Sequence, residues 1–227
     1  MERARGRARA VRAALALAVI VALFAAVAGC GGGDSEASKI AEEAGCEDVS
    51  APEPRDETLP APKQTVKPGE ALTAVVKTSC GTFEIALDTE AAPKTTNSFA
   101  YLAREGFYDG LDFNRIVPGL IVQGGDPAGD GTGGPGYTIT EPPPADTKYT
   151  KGVVAMAREF EEPSGQSGSQ FFVVTSLEAG YPPEYALLGE VTKNYPIVKR
   201  ISELIGPKTG EEPKIPVLIE EVKIEKD

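Results

Sequence analysis

Residues 66–227 of this 227-residue chain are predicted to fold as a mainly β domain, an eight-stranded barrel capped by two α-helices. Three observations carry that expectation. Short runs of β-forming residues recur through the segment and are separated by Gly- and Pro-rich turns. Only two stretches show a helical apolar period. Hydrophobic residues make up 41% of the chain, enough for a packed core.

The N-terminus reads as an address. Arg3, Arg5, Arg7, Arg9 and Arg12 face the single acid Glu2, and an uncharged apolar run follows over 13–28. A basic head with a short apolar run is a secretory signal, here residues 1–29. The alternative is a single transmembrane anchor, but the run is shorter than the roughly 20 residues a spanning helix needs. The run ends in Val27-Ala28-Gly29-Cys30, similar to the bacterial lipobox, in which the Cys is lipidated and becomes the new N-terminus. An incidental Cys30 after an ordinary signal is the other reading. Gly31-Gly32-Gly33-Asp34-Ser35 follows as a flexible tether would. Two acyl chains on Cys30 anchor a protein stably at a membrane surface where one does not.

Removing residues 1–29 takes away five arginines and one glutamate and moves the net charge from −11 to −15. Attachment would then depend on lipid, because anionic headgroups repel such a chain. Residues 30–65 combine the candidate lipidated Cys30 with Gly, Ser, acids and Pro52, Pro54, Pro60 and Pro62. They carry no apolar period and read as a mostly unfolded linker. Cys46 and Cys80 remain. In an exported compartment they are either a disulfide tying the linker to the first hairpin or two free thiols.

Within the domain, 71–78 and 82–88 read as a hairpin across Ser79-Cys80-Gly81. Residues 92–106 read as a helix with Phe99 and Leu102 on one face and Gly106 as its stop. Strands are predicted at 112–116, 120–123, 152–157, 170–175 and 186–191. A second helix starts near Pro196, with Ile197, Ile201, Leu204 and Ile205 as its apolar stripe and Gly206-Pro207 as its end. Residues 215–225 alternate as a closing strand.

Composition removes several function classes. The chain has no His, which excludes His-based triads, His metal clusters and a His general base. Its negative charge argues against a nucleic-acid surface. Gly129, Gly131 and Gly134 match the dinucleotide fingerprint formally. However, no strand leads into them, and Pro135-Gly136 stands where the phosphate-binding helix would have to begin.

The segment Phe113-Asn114-Arg115-Ile116-Val117-Pro118-Gly119-Leu120-Ile121-Val122-Gln123-Gly124-Gly125-Asp126 closely resembles the central signature of the cyclophilins. These are peptidyl-prolyl cis–trans isomerases built on an eight-stranded antiparallel barrel with two capping helices. Gly131-Thr132-Gly133-Gly134, Met156-Ala157-Arg158 and Ser167-Gly168-Ser169-Gln170-Phe171-Phe172 resemble the family's next segments. Pro93-Lys94-Thr95 with Asn97 and Phe99, and Leu188-Gly189-Glu190-Val191, match its helix opening and a late strand. The resemblance runs in order over about residues 70–225.

It implies Arg115, Gln123 and Phe172 as catalytic residues, with the Arg115 guanidinium as donor and Gln123 as its brace. It implies Leu120, Ile121, Ala157, Arg158, Gln170, Tyr181 and Tyr185 as substrate-binding residues. By pattern alone, Leu120, Ile121 and Phe172 would be ordinary core. Three departures stand out. Tyr185 occupies a place where many cyclophilins have His. Gly180 stands where an aromatic often binds cyclosporin, which implies weak affinity for that ligand. The stretch 158–168 is about two residues longer than the commonest form, so the register of Tyr181 and Tyr185 is open by one residue.

Such a reaction suits a chain without His. Resonance makes an X–Pro amide resist rotation by about 18–20 kcal/mol, and no covalent bond is broken. What is needed is a donor for the prolyl nitrogen as the amide twists, an apolar pocket for the ring and donors for the rotating carbonyl. No cofactor or metal is implied. The implied partners are X–Pro-containing polypeptides and, through Cys30, the outer face of a bacterial cytoplasmic membrane. The protein is expected to be a monomer that binds no nucleic acid. A proline-binding chaperone module and an inert structural lipoprotein remain as alternatives that share the same fold.

Overall fold

The pattern of alternating burial along Leu72–Thr78 and Gly81–Leu87 is that of a hairpin with one face in a core, and these residues form β1 and β2. The structure, a computed structural model, describes residues 36–206 and 211–226. After the hairpin come helix α2 (Pro93–Arg104; α1 is described below), β3 (Arg115–Val117), β4 (Ile121–Gly124) and β5 (Ile139–Thr140). Next are β6 (Val153–Met156), β7 (Gln166–Ser167), β8 (Phe171–Val174) and β9 (Leu187–Lys193). Helix α3 (Tyr195–Ser202) and β10 (Ile219–Lys226) complete the chain.

Eight strands make one antiparallel sheet in the order β10-β1-β2-β9-β6-β8-β4-β3, and β5 pairs with β7 apart from it. The sheet curls into a half-barrel in which the segments leading into its edge strands, β3 and β10, come together. Phe113 N donates to Val217 O at 3.0 Å just ahead of both strands, and Ile219 N, at the start of β10, donates to Leu111 O at 2.7 Å. The eight expected strands are the eight of this sheet, with shifted ends. Residues 112–114 serve this seam rather than β3.

The period of two decides what each strand contributes. On β8, Phe171 and Val173 enter the main core while Phe172 and Val174 join a smaller cluster with Ile121, Tyr149 and Ala155. Phe171 is the hub of the main core, with Phe99, Tyr108 and Phe113 edge-on to it at 5.6, 5.8 and 5.9 Å. Helix α2 lies against β9 and β10, and α3 against β2 and β4. The N-cap of α2, Ala92, offers no capping side chain. Glu141 supplies the acceptor instead, taking Thr95 N at 2.7 Å, Thr95 Oγ1 at 2.8 Å and Lys94 N at 3.1 Å.

The linker expectation for residues 30–65 is corrected over 36–65. Glu36–Ala44 forms a helix, α1, whose Ala41 is buried against the domain. Cys46 and Cys80 form a disulfide. Glu47 N donates to Ser79 O at 2.7 Å, Arg55 N to Pro127 O at 2.8 Å and Leu59 N to Pro135 O at 2.9 Å. The buried Asn97 of α2 fastens the far end, its Oδ1 accepting from Thr65 N and Val66 N at 2.8 and 3.0 Å. A nine-residue helix is marginal by itself in water and is stabilised here by what it packs on. Among the described residues, three helices therefore accompany the sheet. The signal sequence and Cys30 lie outside the described residues.

Asp112, at the seam, is half-buried with one carboxylate oxygen lacking a hydrogen-bond partner. Burial pushes its pKa from 3.8 to about 6. A carboxyl whose folded pKa is raised favours the fold below its unfolded pKa. That contribution is lost as pH climbs from 3.8 to about 6. Asp112→Asn is therefore expected to raise the midpoint of thermal unfolding at pH 7–8 and to flatten its decline between pH 4 and 6. Unfolding curves across that range check this.

Candidate active site

β3, β4 and β8 lie side by side, with Arg115 opposite Gln123 and Gln123 opposite Phe172. The same alternation that sends Ile116, Val122 and Phe171 inward turns these three side chains to the other face. Gly124 has to follow Gln123, because a Cβ there would stand 2.5 Å from the Asp112 carbonyl oxygen.

A chain of side-chain hydrogen bonds runs across the strands. Arg115 Nη1 donates to Gln123 Oε1 at 3.2 Å, and Gln123 Nε2 donates to Gln170 Oε1 at 3.0 Å. Gln170 Nε2 donates to the carbonyls of Gly131 and Gly133, both at 2.9 Å. Each amide is thus held by a donor on one side and an acceptor on the other, which fixes its orientation. Arg115 Nε is taken by Glu211 at 2.8 Å, and the guanidinium stays half-exposed. Arg115 Nη2 has no hydrogen-bond partner among the described residues, so a fixed cation presents a free donor.

Beside the guanidinium stands an aromatic box. Tyr185 lies edge-on to Phe172 at 5.4 Å and Tyr181 edge-on to Phe172 at 6.0 Å, with Tyr149 behind at 6.4 Å. The Tyr149 hydroxyl donates to Tyr185 O at 2.6 Å and accepts from Tyr185 N at 3.0 Å, bracketing that residue's backbone. Burial pushes the Tyr149 pKa to about 12, so the hydroxyl keeps its proton and both bonds through the neutral range.

Arg115, Ile121, Gln123, Ala157, Arg158, Gln170, Phe172, Tyr181 and Tyr185 all line one continuous cavity of about 1230 Å³. Of the catalytic and substrate-binding residues implied by the resemblance, Leu120 is the one that does not line it. Leu120 packs half-buried on the Ile121–Phe172 cluster and supports the wall from behind. The Arg158 guanidinium is occupied: Nη1 donates to the carbonyls of Glu159, Phe160 and Glu162, and Nη2 pairs with Glu184. It staples the longer loop and lies 5.5 Å over the Tyr185 ring.

Sequence reasoning missed Tyr149, Glu211 and residues 55–58. A Tyr after a Pro-rich loop and a Glu in a turn give no local sign of where they dock. The described residues hold no group of three or more His, Cys, Asp or Glu placed to bind a metal.

Residues 73–224 match the cyclophilin type peptidyl-prolyl cis-trans isomerase family. The chain is 43% identical over 122 residues to peptidyl-prolyl cis-trans isomerase B of Bacillus subtilis, covering 52% of this chain and 82% of that one. It is 37% identical over 156 residues to peptidyl-prolyl cis-trans isomerase-like 1 of Gibberella zeae, covering 67% and 91%. The crystal structure of a cyclophilin type peptidyl-prolyl cis-trans isomerase from Cryptosporidium parvum superposes with a TM-score of 0.63 at 26% identity. That match covers 69% of this chain and 99% of the other. A second crystal structure of that protein, in the presence of the dipeptide Ala-Pro, superposes with a TM-score of 0.62 at 27% identity. By the family match over most of its length, the chain belongs to the cyclophilin-type peptidyl-prolyl cis–trans isomerases.

Proposed function

We propose that the chain isomerises X–Pro bonds of exported polypeptides, with Arg115 as the central electrostatic group. The observation that carries this is the juxtaposition of Arg115, braced by Gln123 and Glu211, with the box of Phe172, Tyr181 and Tyr185 in one cavity. A prolyl ring seated on Phe172 places its nitrogen beside a cation that needs no proton exchange to act. As the amide twists, resonance is lost and the nitrogen lone pair localises. The free Arg115 donor meets that lone pair more strongly in the twisted state than in either planar one, and this difference lowers the barrier. Ile121 and Ala157 complete the apolar surface, and the Gln170 amide and the 157–158 edge position the substrate backbone. No bond to the enzyme forms, and the reaction uses no cofactor or metal.

The test is the cis–trans exchange rate of an Ala-Pro peptide with the full chain, followed by NMR. Acceleration at substoichiometric protein supports the isomerase. Peptide binding without acceleration would favour a proline-binding chaperone module instead.

The same reading places the protein outside the cytoplasmic membrane as a monomer held by lipid on Cys30. The basic and apolar order of residues 1–28, the Val27-Ala28-Gly29-Cys30 end and the Cys46–Cys80 disulfide support export. In a bacterial host, the full chain is expected in the membrane fraction, and Cys30→Ser is expected to shift it to the soluble exported fraction. Retention of Cys30→Ser in membranes would refute the lipid anchor.

A further inference from the structure

The cavity is larger than a prolyl residue requires, since a pocket that buries a whole drug-sized ligand occupies roughly 300–1,000 Å³. The excess leads away from the Phe172–Tyr185 box to a wall made of Arg55, Asp56 and Thr58. These residues precede the part of the chain that matches the family, which begins at 73.

The wall is built into the fold. The disulfide and Asn97 fasten the segment at its two ends, and backbone bonds to Pro127 and Pro135 fasten the middle. Thr58 sits directly over Gly136, whose φ is +81°, and a Cβ on Gly136 would stand 2.8 Å from the Thr58 side chain. The Arg55 guanidinium is spent on the fold. It donates to the Phe107 carbonyl, lies 5.9 Å from the Phe107 ring centroid and pairs with Glu57 at 3.4 Å. Asp56, exposed next to it, makes no hydrogen bond or ion pair with the described residues and lines the cavity. The loop this wall rests on also supplies the Gly131 and Gly133 carbonyls that hold Gln170, so the wall and the Arg115 brace share one support.

We infer that residues 55–58 are a second, chain-specific wall of the substrate groove, and that Asp56 makes it select polypeptides with a Lys or Arg near the isomerised proline. This rests on the isomerase reading. An extended chain lying from Phe172 toward Asp56 brings a flanking side chain to an exposed carboxylate whose neighbouring cation is already engaged. A cationic side chain there gains an ion pair, and an acidic one meets repulsion.

The test uses the full chain and a set of X–Pro peptides carrying Lys or Glu at successive positions on either side of the proline. At one or two adjacent positions the Lys peptide is expected to exceed its Glu partner in kcat/KM by about two- to fivefold, the range of an exposed ion pair. The difference should shrink as salt is raised. Asp56→Lys is expected to invert that ratio at the same positions. Because the readout is a ratio, a general loss of activity in the variant cancels. An unchanged ratio in Asp56→Lys, or no position with a preference, overturns the inference. If the wild-type chain accelerates no peptide, the isomerase reading fails, and the wall is judged by dissociation constants of the same peptides. A Lys preference that Asp56→Lys inverts would then support the wall, and equal affinities would sink it.

Discussion

Arg115→Ala is expected to lower kcat/KM on an Ala-Pro peptide by about 100-fold or more, the loss seen when one preorganised donor to a developing charge is removed. The loss belongs in kcat rather than KM, because the proposed bond strengthens only as the amide twists. Stability is expected to change little: the side chain is half-exposed, and its partner Glu211 is as well. Arg115→Lys separates charge from geometry. Lysine keeps the cation but loses the planar fork that meets Gln123 and Glu211 at once, so it should recover only part of the lost rate. Peptide exchange measured beside thermal unfolding of each variant decides the matter. An alanine variant that is folded and fully active would remove Arg115 from the mechanism.

The Cys46–Cys80 disulfide should carry the largest single share of stability outside the core. It closes a loop of 34 residues, and removing such a crosslink typically costs about 2–4 kcal/mol. Cys80→Ala with Cys46→Ala is expected to lower the unfolding midpoint by roughly 5–15 °C for a domain of this size. The loss should extend beyond the crosslink. With the bridge gone, α1 and residues 45–50 still have the apolar contacts of Ala37, Ile40, Ala41 and Ala44, the Glu47–Ser79 hydrogen bond and the Arg200 bond to the Gly45 carbonyl, but no covalent tie to β1 and β2. Amide exchange in 36–50 should therefore rise more than in β1 or β8. Reduction of the wild-type chain should reproduce both effects. A midpoint unchanged within a degree would show that packing alone holds the segment.

What was legible in the sequence follows from how local each signal is. The hairpin of β1 and β2 announces itself through two runs of β-forming residues on either side of Ser79-Cys80-Gly81, and α2 through Phe99 and Leu102 on one face and Gly106 at its end. The strands β5 and β7 are two residues each and have no period to read. Helix α1 and the segment to Thr65 look like linker by composition, because their apolar residues are too few to make a core of their own. They become ordered by adding Ala41, Leu59 and Val66 to a core that others build. Arg115 and Gln123, and Gln170 and Phe172, are visible because each pair sits in a contiguous family-like segment, 113–126 and 167–172. Tyr149 and Glu211 act from loops whose docking depends on contacts distant in the chain.

The sequence by itself determined the class of fold, the opposite facing of successive side chains along each strand, and a chemistry that works without imidazole. Those properties are set by residue type and by a period of two, both of which are local. Only the tertiary structure decided that Cys46 meets Cys80, that Glu211 rather than solvent takes Arg115 Nε, and that Arg55, Asp56 and Thr58 line the same cavity as Arg115. Each of these joins residues far apart in the chain. Such contacts form only where the entropy lost in closing the intervening loop is offset by burial and hydrogen bonds, and that balance depends on the whole packed fold.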